Sequence, residues 1–240
     1  MNINFFSVTF WFDIFTNHAI ALEKFQESLT EYNNFNKFDY SDNYFAPIIT
    51  AANDEKKTNL VFSQINLQYN MDLASLGDMT VFKEKVLSLY EILESLGISV
   101  LHTAIFVNAD IVDKNALQKI AKNTISSSFL DDNLVDVMLK IGKKHEDLFY
   151  KIATLLNKKQ IKLPKLVDEK NRVIPIPLIS WNDAVIENEV IELSYEINDK
   201  YSFDVTKNYH TTEFYLNKML YIFQEDFESD IKDLLDNGNF

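Results

Sequence analysis

The chain has 240 residues, of which 47% are hydrophobic and 13% aromatic, so it can bury a sizeable core and does not have a disordered composition. Its four glycines lie far apart and it has no cysteine, which argues against a phosphate-binding glycine loop, a thiol nucleophile and a thiolate metal site. The net charge of −13 and the single arginine, Arg172, argue against nucleic acid as a ligand.

Apolar periodicity predicts the secondary structure of the first 112 residues. The clearest helix opens after Asp78 and stops at Gly97, because glycine favours the left-handed conformation found at helix ends. The strand that follows is apolar on both faces, so we expect it to be central, with His102 packed in the core. In chain order the predicted elements are strand 3–15 with Phe6, Val8, Phe10, Phe12 and Ile14 on one face, helix 18–32, strands 35–40, 44–51 and 59–69, the helix between Asp78 and Gly97, and strand 98–112.

Residues 113–240 continue with helices and strands. A linker-like stretch at 158–177 holds three of the four prolines. Strict alternation over 190–197 predicts a strand, and we expect 201–205 to pair with it in a hairpin. The other predicted elements are helix 114–122, strand 134–141, helix 145–157 and a long helix at 212–235.

This element order predicts an α+β fold of antiparallel sheets with helices packed on one face. The order is compatible with two similar halves, 1–112 and 113–240, which form either two units or one continuous domain. No apolar run reaches the roughly 20 residues that cross a bilayer, so we expect no membrane partner. The absence of cysteine fits a cytoplasmic location.

Several segments carry a resemblance to a protein family. They are INLQY at 65–69, FKEKV at 82–86, VLHTAIFVNAD at 100–110, and IELSYEINDKYSFDV at 191–205 with the long helix after it. With these segments the chain resembles a sporadically distributed, functionally uncharacterised bacterial family of about this length. In that family the strand equivalent to 100–110 is usually basic, whereas here it has His102 and Asn108 but no arginine. The resemblance therefore implies no activity and no role for a basic residue.

Few residues point to catalysis. The four histidines show no paired metal-binding spacing, and we expect His145 at the solvated start of a helix. Asp42 and residues 55–57 have the residue types of a metal-dependent nuclease motif, an acid followed by Glu-x-Lys, but they lie in or near charged loops. We therefore predict no catalytic, cofactor-binding or metal-binding residue and no cofactor. An unrecognised hydrolase or nuclease is kept as a third hypothesis.

Charge is unevenly distributed along the chain. Residues 140–172 hold ten of the 23 basic residues but only four of the 36 acids. We expect this basic segment either to pair with acidic regions, within the chain or in a salt-sensitive homodimer, or to form a second partner-binding patch. The acids of the last predicted hairpin and of the final helix form the candidate partner-binding surface: Glu187, Glu189, Glu192, Glu196, Asp199, Asp204, Glu225, Asp226, Glu228 and Asp230.

Our first hypothesis is an acidic inhibitor or neutraliser that docks on a basic, nucleic-acid-binding surface of a partner protein. Its carboxylates would mimic nucleic-acid phosphates and would speed the encounter. Phage anti-defence proteins, antitoxins and immunity proteins have this profile. A purely solubilising surface explains the same acids without a partner. The second hypothesis is a subunit of a larger assembly or a chaperone-like binding module that uses exposed aromatic residues.

Overall fold

The computed structural model describes residues 2–32, 35–43, 46–55, 57–72, 78–112, 138–146, 149–162 and 185–237. This part of the chain contains nine strands and four helices. In chain order they are β1 (Asn2–Phe12), α1 (His18–Tyr32), β2 (Lys37–Ser41), β3 (Ile48–Asn53), β4 (Thr58–Phe62), β5 (Asn66–Asp72), α2 (Met79–Ser95), β6 (Val100–Val112), β7 (Met138–His145), β8 (Phe149–Lys162), β9 (Val185–Asn198), α3 (Lys200–Val205) and α4 (Glu213–Asn237).

All nine of these strands belong to one antiparallel sheet in the order β2-β3-β4-β5-β1-β6-β9-β8-β7. The central strands β1 and β6 each begin a group of strands, and β6 lies at the end of the first expected half, 1–112, rather than at the start of the second. In each group the last strand returns to pair with the first, β5 with β1 and β9 with β6, and a helix follows it. The α+β prediction is confirmed, and strands from both sides of residue 112 are joined in a single sheet.

The three longer helices cover one face of the sheet. Each places a phenylalanine against a strand, and the contacts are Phe25 with Phe62, Phe82 with Phe6, and Phe227 with Tyr195, at ring-centroid distances of 5.1, 5.3 and 5.3 Å. The predicted inward residues Phe6, Val8, Phe10 and Phe12 are buried against these helices. Ile14 is not: it is 72% exposed, because β1 ends at Phe12.

The end of α2 agrees with the sequence. Gly97 has a φ of +71°, its N–H donates to the Glu94 carbonyl at 2.9 Å, and the Ile98 N–H donates to the Leu93 carbonyl at 3.0 Å. This pair of bonds is the Schellman arrangement, in which the left-handed residue satisfies carbonyls at the end of a helix. Gly97 therefore stops the helix as predicted and lets β6 begin three residues later.

Three predicted elements were wrong, and tertiary pairing decided each of them. Where a helix was expected at 145–157, His145 ends β7 and residues 149–157 belong to β8, which is hydrogen-bonded between β7 and β9. The expected strand 59–69 is two strands, β4 and β5, joined at Ser63, whose Oγ accepts the Asn66 N–H at 3.1 Å. Residues 201–205 lie in helix α3 and not in a hairpin strand.

Three further predictions fall wholly or partly outside the described residues. The helix at 114–122 lies outside them, as does the part of the linker-like stretch beyond Lys162, whereas residues 158–162 belong to β8. The strand expected at 134–141 is described from Met138 onward, as β7. Within the described ranges, no helix is long and apolar enough to cross a membrane.

Candidate interaction surface

The sheet face turned away from α1, α2 and α4, here called the open face, carries aromatic, amide and acidic side chains at its centre. These positions alternate with the inward core residues of the same strands, since successive residues of a strand point to opposite faces. On β1 and β6 they include Phe5, Trp11, His102, Phe106, Asn108 and Asp110, and on β9 they are Glu192, Ser194 and Glu196.

Two carboxylates lie directly opposite each other on this face. Asp110 of β6 pairs in register with Glu192 of β9, and Phe106 pairs with Glu196. The Oδ1 atom of Asp110 is buried and has no hydrogen-bond partner. Like charges directly opposite in a sheet are destabilising, and a carboxylate oxygen without water or a donor adds to that cost. We call Asp110, Glu192 and Glu196 the acidic row.

Asn108 holds the centre of the acidic row in place. Its Nδ2 donates to Oε1 of Glu192 at 2.8 Å and to Oγ of Ser194 at 3.3 Å. Its Oδ1 accepts a hydrogen bond from Nδ2 of Asn4 at 2.7 Å. Because Asn108 is only 6% exposed, this amide is a fixed part of the sheet surface and positions the Glu192 carboxylate.

An aromatic pair borders the acidic row. The rings of Phe5 and Phe106 meet edge to face, with centroids 5.3 Å apart and planes at 73°. Both side chains are partly exposed. Phe5 pairs in register with Asn108, so the rings and the carboxylates share one small area of β1, β6 and β9.

The predicted partner-binding residues are divided between the two sides of the sheet. Glu192 and Glu196 lie on the open face, whereas Asp230 of α4 accepts a hydrogen bond of 3.0 Å from the hydroxyl of the inward-facing Tyr195. The remaining acids belong to several elements: Glu187 and Glu189 to β9, with Glu189 in register with Lys159, Asp204 to α3, and Glu225, Asp226 and Glu228 to α4. The acids of the predicted hairpin and the acids of the final helix therefore do not form one continuous surface.

Asp199 corrects the prediction most clearly, because it is fully buried rather than exposed. Its Oδ1 accepts the Thr103 N–H at 2.6 Å, and its Oδ2 accepts the hydroxyls of Thr211 at 2.6 Å and Tyr209 at 2.9 Å. Burial raises the pKa of Asp199 to about 6, although these hydrogen bonds favour the ionised form. The residue ties β6 and β9 to the segment that enters α4 and is not part of a surface.

His102 faces the open side of the sheet instead of the helix-covered core. Its ring stacks on Trp11 with centroids 4.3 Å apart and contacts Phe203 of α3 at 5.3 Å. Burial lowers the pKa of His102, as does the nearby charge of Lys200, while Asp204 opposes the shift. Its Nδ1 is buried without a hydrogen-bond partner, so the ring fills space between two aromatic side chains.

One serine–histidine contact resembles a catalytic pair. The Ser99 Oγ lies 3.0 Å from Nδ1 of His210, at a cavity of about 190 Å³ lined by Asp13, Ile14, Phe15, Gly97, Ile98 and Ser99. An acyl-transfer site also needs backbone N–H groups that point at the developing oxyanion. The N–H groups of Gly97 and Ile98 already donate to the end of α2, which leaves the pair without those two donors. In the described ranges, no group of three or more histidine or acidic residues is placed to hold a metal ion.

The chain matches no protein-family model and no curated protein sequence. The resemblance carried by residues 65–110 and 191–205 therefore stays a prediction. The sequence pointed to Glu192 and Glu196 but missed Phe5, Phe106 and Asp110. The signal that could have found them is strand alternation: with Phe6 and Val107 inward, the residues on either side must face outward.

Proposed function

We propose that this chain is a cytosolic, non-enzymatic protein that binds and neutralises a partner through a basic, nucleic-acid-binding surface of that partner. The observation that supports the proposal most is the direct pairing of Asp110 with Glu192 on the open face. Opposed carboxylates repel each other, and a cationic side chain of a partner would reduce that repulsion on binding.

Long-range charge supports the same proposal. The net charge of −13 attracts a basic partner and speeds its encounter, and Glu196 adds a third carboxylate to the open face. On β9, Glu192 and Glu196 are separated by Ser194 on the same face and lie about 13 Å apart, and Asp110 lies directly opposite Glu192. Carboxylates fixed on rigid strands can stand in for phosphates, which is the basis for proposing a partner that normally binds nucleic acid.

One observation favours a second candidate, a subunit of a larger assembly or a chaperone-like binder. Phe214 and Tyr221 of α4 are 72% and 59% exposed, and their spacing of seven residues puts them on the same side of the helix. Exposed aromatic side chains of this kind are common at the centres of protein interfaces. In this case the partner would cover α4 instead of the open face.

The basic segment motivates a proposal about self-association. Its lysines at 158, 159 and 162 lie in β8, next to the strand that carries the acidic row. A homodimer in which these lysines meet the acids of a second copy would weaken as salt rises, because screening shortens to about 3 Å at 1 M salt. Sedimentation at low and high salt tests it, and a monomer under both conditions would rule the dimer out.

To test the main proposal, the full-length chain is first used to recover the partner from the native host. The association rate of the chain with that partner is then measured at two salt concentrations. Glu192→Gln with Glu196→Gln removes two charges from the open face while keeping hydrogen-bond acceptors. The control, Glu23→Gln with Glu27→Gln, removes two charges from exposed positions of α1. We expect slower association for the open-face variant, most clearly at low salt. Equal rates for both variants would contradict the proposal, and loss of binding only with Phe214→Ser and Tyr221→Ser would favour the second candidate.

A further inference from the structure

The two edge strands of the sheet differ in their charges. Within the described part of the chain, β2 lies at one end of the strand order and β7 at the other. An edge strand presents backbone N–H and C=O groups that can pair with another strand, and charged side chains normally prevent such pairing. The charges on β7 are all positive, because it carries Lys140, Lys143 and Lys144, so the β7 of a second copy is repelled. The charges on β2 have opposite signs, Lys37 and Asp39, and can therefore attract a second β2.

We infer that β2 pairs antiparallel with the β2 of a second copy of this chain, which joins the two sheets edge to edge. The pairing is centred on Phe38, which lies opposite the second copy's Phe38. In this register Lys37 lies directly opposite the second copy's Asp39, and Asp39 lies opposite its Lys37. Opposite charges directly across an antiparallel pair stabilise it, and a two-fold interface repeats every contact, so two ion pairs form.

The charge pattern of β2 selects this register. In the neighbouring registers, one strand is shifted by two residues along the other, so that all side chains keep their faces. A register centred on Asp39 places the two aspartates opposite each other, and one centred on Lys37 places the two lysines opposite each other. Because like charges in these positions are destabilising, the register centred on Phe38 is favoured over both.

The side chains of β2 are accessible to a second copy. Asp39 is exposed and has no hydrogen bond or ion pair among the described residues, so its carboxylate can accept a lysine. Lys37 contacts Asp54 of its own chain, but its side chain is 63% exposed and its ammonium has three N–H donors, enough to serve a second carboxylate. Phe38 packs only partly against the core, and Tyr40 on the same face of β2 is 37% exposed. Pairing therefore covers aromatic as well as charged surface.

Net charge distinguishes this dimer from the one proposed for the basic segment. Two chains of net charge −13 repel each other, and the repulsion reaches about 30 Å at 0.01 M salt but about 8 Å at 0.15 M. Pairing through β2 should therefore tighten between these salt concentrations, since two exposed ion pairs contribute little against that repulsion. The acidic row stays uncovered in such a dimer, because β6 is the fifth strand from β2.

Sedimentation equilibrium of the full-length protein at these two salt concentrations tests the inference. We expect a dissociation constant on the order of 100 µM at the higher salt concentration, because so short an edge makes a small interface. Asp39→Lys places lysine opposite lysine and Lys37→Asp places aspartate opposite aspartate, so each should weaken the dimer about tenfold or more. The control Glu23→Lys changes the net charge as much as Asp39→Lys does, at an exposed position of α1, and should not weaken the dimer.

A mixture of the Asp39→Lys and Lys37→Asp chains tests the register itself. Each variant alone has like charges across the pair, whereas one copy of each restores two lysine–aspartate pairs. We expect the mixed dimer to be about tenfold or more tighter than either variant with itself, which also shows that both variants fold. A wild type that is monomeric at about 1 mM, or a mixture that associates no better than its components, would overturn the inference. A wild-type dimer that weakens as salt rises would also overturn it and would support the contact through the basic segment.

Discussion

Asp199 and Thr103 are joined twice, side chain to backbone and backbone to backbone. The Thr103 N–H donates to Oδ1 of Asp199 at 2.6 Å, and the Asp199 N–H donates to the Thr103 carbonyl at 3.2 Å. The second oxygen of the carboxylate receives the hydroxyls of Tyr209 and Thr211. A single buried side chain thus fixes how the chain leaves β9, crosses the end of β6 and enters α4.

The first prediction concerns the pH dependence of this link. Burial raises the pKa of Asp199 from 3.8 to about 6, so between these values the folded state binds a proton that the unfolded state does not. The carboxyl therefore supports folding at low pH, and this support is lost as the pH rises through about 6. The unfolding free energy of the wild type, relative to Asp199→Asn, should fall by about 2 kcal/mol from about pH 4.5 to 7.5.

Urea unfolding of both proteins at the two pH values measures this difference. Asparagine at position 199 can still accept the Thr103 N–H and can donate to the two hydroxyls, so the variant should fold. Asp233→Asn, which changes an exposed acid of α4, is the matched control and should leave the pH profile unchanged. A parallel pH dependence in the wild type and Asp199→Asn would contradict the prediction.

Asp199 also explains why the sequence misled at this point. Residues 201–205 alternate between apolar and polar types, which favours a strand, but five residues fit a turn and a half of helix equally well. The contacts of Asp199 decide between strand and helix. They join Asp199 to Thr103, about a hundred residues earlier in the chain, and to Thr211, on the other side of α3 in the sequence. Long-range bonds of this kind leave no periodic signal.

At the end of α2 the local sequence was enough to predict the structure. Gly97 ended α2 as predicted, because a left-handed residue is a local requirement that glycine meets. The join between β4 and β5 was hidden because Ser63, Gln64, Ile65 and Asn66 include neither glycine nor proline, although the Ser63 side chain builds the turn. For the interaction surface, acidic residues could be counted from the sequence, but their division between the two sides of the sheet depends on the pairing of β6 with β9.

The second prediction concerns the backbone at Gly97. A Cβ at this position would meet no atom within 4 Å, so Gly97→Ala introduces no clash, and its cost comes from the φ of +71° alone. We expect a loss of about 1 kcal/mol in unfolding free energy. Gly97→Asn should lose less, because asparagine tolerates the left-handed conformation better. Equal stability of Gly97→Ala and the wild type would contradict this account.

The third prediction concerns the bond between Tyr195 and Asp230, which links β9 to α4. The hydroxyl of the fully buried Tyr195 donates to Oδ2 of Asp230 at 3.0 Å. A double-mutant cycle of Tyr195→Phe and Asp230→Ala should give a coupling of about 1 kcal/mol in unfolding free energy. Asp233→Ala, at an exposed position on the same helix, should show no coupling with Tyr195→Phe. Additive effects of Tyr195→Phe and Asp230→Ala would mean that the bond does not contribute to stability.

The last prediction concerns the amide that holds the acidic row. Asn108→Asp keeps the shape of the side chain but replaces the Nδ2 donor that serves Glu192 and Ser194 with a carboxylate oxygen. It also puts a third carboxylate beside Asp110 and Glu192 on a barely exposed part of the sheet. We expect a loss of about 2 to 4 kcal/mol in unfolding free energy at neutral pH.

Much of this loss should be recovered as the pH falls below about 5, because protonation removes the repulsion among the carboxylates. Asn59→Asp is the matched control: Asn59 accepts a hydrogen bond of 2.8 Å from Asn70, and a carboxylate at position 59 can still accept it. Thermal unfolding of the two variants at pH 7 and pH 4 measures the difference. If Asn108→Asp and Asn59→Asp lose the same stability at both pH values, then Asn108 does not offset the repulsion between Asp110 and Glu192, and the physical basis for a cation at this surface is removed.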